Sequence, residues 1–221
     1  MGRDAKRALF EQFARIGKAL SSPTRVELID LLAQGERPVD SLARATGAHV
    51  TTVSAHLQAL RQARLVSTRR EGTRIFYRLA GADVAGLYLQ VQRLAEHHLP
   101  DLPAARAAFL GPEDVEEIDR DELWRRAEQG TVTVIDVRPS EEYAGGHLPG
   151  AISIPLDELA GRLAELPTGS DVVAYCRGPY CVLSYAAVRL LRDHGRPARR
   201  LADGVLEWRA AELPVEGADV A

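Results

Sequence analysis

The first half of the chain has apolar residues at helical spacing. One apolar face is formed by Leu9, Phe13, Ile16 and Leu20. Ser22-Pro23 then places a proline at the first turn of a second helix, which ends at Gly35. A short third helix is predicted over 39–46, before Gly47, and a fourth over 49–63. The pattern predicts a mainly α-helical first domain.

The fourth helix and the segment after it have features that a plain helical core does not require. We expect Val50, Val53, Leu57 and Leu60 to point inward. The outward positions are then Thr51, Thr52, Ala55 and Gln58, with Ser54 at the margin. Two strand-like runs, 64–69 and 74–79, flank a turn at Glu71-Gly72, and an apolar stripe at helical spacing follows over 84–95. Two short helices followed by a hairpin predict a winged helix-turn-helix.

The second half alternates between strand-like and helix-like segments. Short apolar runs at 132–136, 151–154 and 172–176 are separated by stretches with helical spacing at 121–128, 156–165 and 182–194. This alternation is typical of an α/β domain with a mainly parallel sheet. We therefore predict a first domain over 1–99, a proline-punctuated linker over 100–114, a second domain over 115–216 and a tail over 217–221.

Charge is distributed unevenly although the net charge of the 221 residues is only −3. Six arginines lie between 61 and 78 against one acid, whereas 113–122 is acidic, beginning with Glu113. Small polar residues of the fourth helix can approach base edges, and the hairpin arginines, Arg70 and Arg74 among them, can neutralise phosphates. Without a long apolar run or signal peptide, we expect a cytoplasmic protein with no membrane partner.

Two sequence motifs in the first half resemble the ArsR family of winged-helix repressors. The resemblance covers about 5–98 and rests on ALSSPTRVELIDLL and on VSAHLQALRQARLV before the hairpin. It implies a homodimer, paired through the first and last helices, on a pseudo-palindromic double-stranded DNA operator. The chain departs from the family at its metal sites, because 39–46 contains no cysteine and the partner position of Asp83 is Ala85. We expect no metal and no cofactor.

Both cysteines of the chain lie in one short stretch, CRGPYC, residues 176–181. Cys176 follows a predicted buried strand and precedes a helix N-terminus, where amide groups and the helix dipole stabilise an anion such as a thiolate or persulfide. In a reducing compartment a cysteine pair is more often catalytic, redox-sensing or metal-binding than a structural staple. The spacing leaves sulfur chemistry and a two-thiolate site for a soft ion open.

The second half resembles the rhodanese domain over about 115–216. The supporting motifs are DVR at 136–138, EYAGGHLPGAISIP at 142–155, the cysteine loop, and Asp203-Gly204 with Trp208. The resemblance implies that Cys176 is a nucleophile that accepts sulfane sulfur, cradled by the loop residues Arg177, Gly178, Pro179, Tyr180 and Val182. It implies supporting roles for Asp136, Arg138 and His147.

The loop departs from the rhodanese pattern at its fifth position after the cysteine, where an arginine is common and this chain has Cys181. Losing that cation argues against efficient turnover with thiosulfate. Cys181 is placed instead to attack a persulfide on Cys176.

The sequence predicts a transcriptional repressor whose rhodanese-like domain senses reactive sulfur or another thiol-reactive inducer at Cys176, with Cys181. Two alternatives stay open: a sulfurtransferase with an accessory winged helix, and a sensor of arsenite or a soft metal that uses both cysteines.

Overall fold

The structure is a computed structural model that describes residues 2–112 and 114–217. The chain divides into two compact units, 1–92 and 93–221. Glu113 and most of the segment interpreted as a tail, 218–221, lie outside the described residues.

The helices of the first unit follow the apolar spacing closely. They are α1 (Arg3–Leu20), α2 (Pro23–Ala33), α3 (Val39–Thr46), α4 (Val50–Gln62) and α5 (Ala82–His98), which continues past residue 92. Pro23 occupies the first turn of α2, as expected for a residue that has no amide hydrogen to contribute there. α3 ends at Gly47, whose φ of +64° is a left-handed conformation that glycine adopts without strain.

A small antiparallel sheet completes the first unit. Its strands are β1 (Arg37–Pro38), β2 (Val66–Glu71) and β3 (Arg74–Leu79), in the order β1-β3-β2. Val66 pairs with Leu79 and Glu71 with Arg74, so the hairpin turns at Gly72 and Thr73. β1 was not predicted, because two residues carry no periodicity.

The core of the first unit is formed where α2, α3 and α4 meet the hairpin. Its fully buried members are Leu28, Leu42, Val53, Leu57 and Leu60. Val50 is 50% exposed, so its predicted inward orientation is wrong. As the first residue of α4 it lies before the helix has turned its apolar face to the core.

The second unit alternates helices and parallel strands. Its elements up to the central strand are α6 (Leu102–Leu110), β4 (Glu117–Ile118), α7 (Arg120–Glu128), β5 (Val132–Asp136), α8 (Ser140–Ala144), β6 (Ile152–Ser153) and α9 (Leu156–Arg162). They are followed by β7 (Asp171–Tyr175), α10 (Val182–Asp193), β8 (Ala198–Leu201) and α11 (Val205–Ala210). Within the described residues the sheet order is β4-β8-β7-β5-β6, and each neighbouring pair is parallel.

The sheet is covered on both faces, which explains the continuous apolar character of its central strands. One core cluster contains Ile135, Val172, Ala174 and Val188, and the other contains Val134, Val173, Leu201 and Trp208. Alternate residues of β7 thus belong to opposite faces. Because β7 is central, the loop after it lies at the carboxyl edge of the sheet, where α/β domains place their binding sites.

The sequence interpretation missed β4, β8, α8 and α11, and the linker predicted over 100–114 contains the helix α6. The strand β8 has the sequence ARRL, in which Arg200 is buried but reads as polar. Its guanidinium is paired with Glu117 of β4 and contacts the Tyr185 hydroxyl at 3.0 Å. A buried arginine that is paired with a partly exposed glutamate therefore interrupts the apolar pattern of β8.

Candidate functional site

The outer face of α4 presents the residues expected to meet DNA. Thr51, Thr52 and Ala55 are exposed and Ser54 is half-buried. Gln58 is also exposed, but its amide nitrogen lies 3.0 Å from the Tyr77 hydroxyl of β3. Gln58 thus contacts the sheet, and the expected approach of this face to base edges stays a prediction.

The hairpin arginines differ in their local partners. Arg69 donates to Glu36 and Glu71, at 2.6 Å each, so its charge is balanced within the unit. Arg70 donates to the carbonyl of Gly72, and Arg74 stands opposite Glu71 in the register. Arg70 and Arg74 are both exposed at the tip of the hairpin, where a wing contacts the phosphate backbone.

The chain lacks residues that the ArsR resemblance would assign to a metal site. α3 holds no cysteine, and Ala85 stands where the ligand partner of Asp83 would be. His97 and His98 contact each other edge to face at the exposed end of α5. Among the described residues, no group of three or more His, Cys, Asp or Glu side chains is arranged to hold a metal ion.

The two cysteines lie together at the carboxyl edge of the sheet. Cys176 follows β7, and Cys181 is the residue before α10. Their sulfur atoms are joined in a disulfide, with 6.1 Å between the Cα atoms. Cys176 is 1% exposed and Cys181 7%, so both cysteines are shielded from solvent in the disulfide form. The structure brings the predicted pair together.

The loop between the cysteines is a tight turn. The Cys181 amide donates to the Gly178 carbonyl at 3.2 Å, so this amide of the expected cradle is occupied by the loop itself. The Ser184 hydroxyl lies 3.2 Å from the Cys181 carbonyl. Pro179 offers no amide hydrogen. The Tyr180 hydroxyl contacts Glu96 at 2.6 Å, and burial together with this contact raises the pKa of Tyr180 to about 12. Val182 is exposed.

Two glutamates and a glycine hold the loop in place. Arg177 forms a bidentate pair with Glu142 of α8, whose side chain is fully buried. Gly204 packs so closely that a Cβ there would overlap the Arg177 carbonyl group. Glu207 of α11 accepts from the Gly204 amide at 2.9 Å, and a Cβ built on Gly178 would lie 3.2 Å from its Oε1. The loop is therefore enclosed by α8 and α11.

A buried polar network lies beneath the loop. Arg138 donates to Asp136 through Nε and Nη2, and to the Gly146 carbonyl at 2.8 Å. The Tyr175 hydroxyl contacts Asp136 at 2.6 Å and accepts from the Leu148 amide. Burial, with the charge of Asp136, raises the pKa of Tyr175 well above its usual value, so the hydroxyl stays a donor. Arg138 also has a raised pKa, with Asp136 opposing the effect of burial.

His147 joins the same region to the end of the chain. Its ring stacks on Tyr143 at 3.6 Å, and its Nδ1 lies 2.9 Å from the Tyr143 carbonyl. Its backbone forms a bridge with Glu216 through two hydrogen bonds of 2.9 Å. Through these contacts His147 connects α8 with Glu216.

Two family models match the chain, one in each half. The model of bacterial regulatory proteins of the arsR family matches 22–68, and that of the rhodanese-like domain matches 119–211. The HTH-type transcriptional regulator Rv0324 of Mycobacterium tuberculosis is 58% identical over 219 residues, which are 98% of this chain and 96% of that protein. The chain belongs to the ArsR family. It is an ArsR-type DNA-binding transcriptional regulator with a rhodanese-like domain.

Two further relatives each match one half of this ArsR-family chain. A sulfurtransferase of Allochromatium vinosum is 32% identical over 102 residues, 46% of this chain and 94% of that protein. The solved homodimeric winged helix-turn-helix DNA-binding domain Mb0332 of Mycobacterium bovis is 55% identical and covers 45% of this chain and 92% of its own, with a TM-score of 0.42. In the described part of the regulator, no helix is long and apolar enough to cross a membrane.

The sequence interpretation missed the residues that surround the loop. Glu142 lies within a motif that was used for the resemblance, but its partner Arg177 is 35 residues away in sequence. Glu207 carried one local signal, its position three residues after Gly204, which is a capping-box spacing. That spacing predicts a helix start but not a neighbour of the cysteine loop.

Proposed function

We propose that the protein is a repressor that senses reactive sulfur through Cys176 and Cys181. The observation that carries the proposal is that the only two cysteines lie within bonding distance in the loop between β7 and α10. The winged helix-turn-helix belongs to a family of regulators, but it has no cysteine in α3 for the metal site that the resemblance implies. We therefore infer that the inducing compound is detected in the rhodanese-like domain.

The chemistry takes two balanced steps. The Cys176 thiolate attacks the sulfane sulfur of a donor R–S–SH; the S–S bond breaks, RS⁻ leaves and Cys176–S–SH forms. The Cys181 thiolate then attacks the inner sulfur, HS⁻ leaves, and the Cys176–Cys181 disulfide forms. No outside oxidant is needed, because the sulfane sulfur takes up the two electrons.

The size of the loop supports a reactive rather than a structural pair. A disulfide stabilises a protein mainly by restricting the unfolded chain, and the effect falls as the closed loop shortens. Here five sequence positions separate the cysteines, so the restriction is near the lower end of the usual range.

The switch needs a different DNA affinity in the two thiol states. A coupling free energy of about 1–3 kcal/mol is typical of such switches and changes affinity roughly 5- to 150-fold.

The DNA-binding unit is a homodimer in this proposal, because Leu9, Phe10 and Phe13 leave an exposed apolar face on α1. The description of the Mycobacterium bovis domain as homodimeric supports this.

The test is fluorescence anisotropy on DNA from the chain's own upstream region. Reduced, polysulfide-treated and arsenite-treated protein are compared, each with its intact mass. We expect loss of affinity after polysulfide treatment in the native chain and no change in Cys176→Ser. Unchanged affinity in protein shown by mass to be modified would reject the sensor.

A sulfurtransferase is the second candidate, favoured by the rhodanese-like domain and by the similarity to the Allochromatium vinosum sulfurtransferase. Sustained turnover with a persulfide donor, abolished in Cys176→Ser and retained in Cys181→Ser, would support it. An affinity change with arsenite alone would instead assign the two cysteines to a soft-ion site.

A further inference from the structure

A pocket in the first unit is lined by positively charged side chains. It has a volume of about 260 Å³ and lies where the carboxyl ends of α1 and α4 meet the first turn of α2. Its charged lining residues are Arg15, Lys18 and Arg25, and none of the described residues that line it is acidic. Pockets for drug-sized ligands are roughly 300–1,000 Å³, so this one suits a small ligand or a single chemical group.

The two arginines of the pocket are held in place by backbone carbonyl groups. Arg25 donates through Nε to the Ala19 carbonyl, and through Nη2 to the Lys18 carbonyl at 2.7 Å. Arg15 donates through Nη2 to the Gln62 carbonyl at 3.0 Å. Among the described residues, Arg15 Nε and Arg25 Nη1 have no acceptor. Each guanidinium therefore has a fixed position and donors left for a ligand, which lowers the entropy lost on binding.

The positive charge of the pocket is not cancelled by its surroundings. The Lys18 ammonium is exposed and has no hydrogen bond or ion pair within the part of the chain that the structure describes. No carboxylate of a described residue is paired with Arg15 or Arg25. The carboxyl ends of α1 and α4 contribute about half a negative charge each, which three cations outweigh.

We propose that this pocket binds a phosphate group through Arg15, Lys18 and Arg25. Guanidinium and ammonium groups are the side chains with which proteins bind phosphate oxygens. The phosphate belongs either to the DNA backbone or to a free phosphate compound, because both present the same oxygens. The proposal does not depend on sulfur chemistry at the cysteines.

The experiment compares Lys18→Gln with Lys6→Gln in the reduced full-length chain. These two are the only lysines of the chain, and both are exposed on α1, but Lys6 is not among the described residues that line the pocket. The arginines are left in place, because their bonds to the helix ends also stabilise the fold. Urea unfolding checks that both variants are folded.

Calorimetry measures the binding of pyrophosphate at constant ionic strength. We expect pyrophosphate to bind to the native chain and equally to Lys6→Gln. Binding to Lys18→Gln should be about tenfold weaker, as for the loss of one charge-assisted hydrogen bond. Lys18→Arg, which keeps the charge, should restore it.

Fluorescence anisotropy with duplex DNA distinguishes the two sources of the phosphate. For a DNA phosphate, Lys18→Gln reduces the slope of log K against log salt by about one, and pyrophosphate competes with DNA at constant ionic strength. For a free phosphate compound, Lys18→Gln weakens pyrophosphate binding and leaves the slope unchanged.

Two results would overturn the inference. One is that Lys18→Gln changes neither pyrophosphate binding nor the salt dependence of DNA binding. The other is an equal effect of Lys6→Gln in both measurements, which would show a general attraction to the basic surface of α1 instead of a site.

Discussion

At the scale of single residues, the cysteine loop depends on a glycine distant from it in sequence. Gly204 lies against the Arg177 carbonyl, and a side chain at this position has no space. The resemblance identified Asp203-Gly204 as a motif, and the structure shows the reason for the glycine. The backbone of the α11 N-terminus packs on the backbone of the loop.

Gly204→Ala should therefore displace the loop. We expect a loss of about 1–3 kcal/mol in the free energy of unfolding, the usual cost of overpacking, with altered Cys176 reactivity. Gly161→Ala is the control, because a Cβ at Gly161, in α9, meets no atom within 4 Å. Urea unfolding and thiol alkylation measure the two effects. Equal stability of the two variants would contradict the packing argument.

The Tyr175 hydroxyl is a second residue-scale determinant of stability. Tyr175→Phe removes the hydroxyl donor to Asp136, which keeps Arg138, and leaves the Leu148 amide without its buried acceptor, so we expect a loss of about 1–3 kcal/mol at neutral pH. Tyr180→Phe, which removes a more exposed hydroxyl, should cost less. Urea unfolding measures both.

The raised pKa of Tyr175 also predicts a pH dependence. Because the folded state holds this proton more tightly than the unfolded state, its contribution is complete below about pH 10 and is lost as the pH rises further. The fall in stability at alkaline pH should be smaller in Tyr175→Phe. A fall of the same size in both proteins would show that other groups determine it.

At the scale of elements, the hairpin β2–β3 is predicted to supply phosphate contacts. Arg74→Ala should weaken DNA binding regardless of sequence and reduce the slope of log K against log salt by about one. Arg162→Ala, which removes an arginine at the end of α9 that is paired with Glu158 and Glu165, is the control. Anisotropy titrations between low and moderate salt measure the slope. An unchanged slope would remove Arg74 from the interface.

At the scale of the whole molecule, assembly is predicted to depend on α1. Phe13 is 61% exposed, its ring contacts that of Phe10, and Leu9 is exposed beside them, and contiguous exposed apolar residues often mark a protein interface. Phe13→Glu should give a monomer in sedimentation and lose most of its DNA affinity, because the two half-sites are then bound independently. Gln12→Glu adds the same charge at the neighbouring exposed position and should remain a dimer. A dimeric Phe13→Glu protein would refute the assignment of this face.

The sequence by itself determined the helices of the first unit, the hairpin and the central strands β5 and β7. These elements have regular apolar spacing, and the Gly and Pro residues at their ends start or end them through the conformation of their own backbone. It also indicated the cysteine pair and its position between a strand and a helix. The cysteine pair and its position between a strand and a helix both depend only on residues that are close together in the sequence.

Only the tertiary structure decided which side chains surround that pair. Glu142, Glu207 and Gly204 come from segments far apart in sequence, and parallel strands with crossover helices bring them to one sheet edge. The same holds for β8, whose buried Arg200 is paired with Glu117 of the neighbouring strand β4. Long-range ion pairs and backbone contacts leave no periodic signal, because each depends on two distant residues meeting.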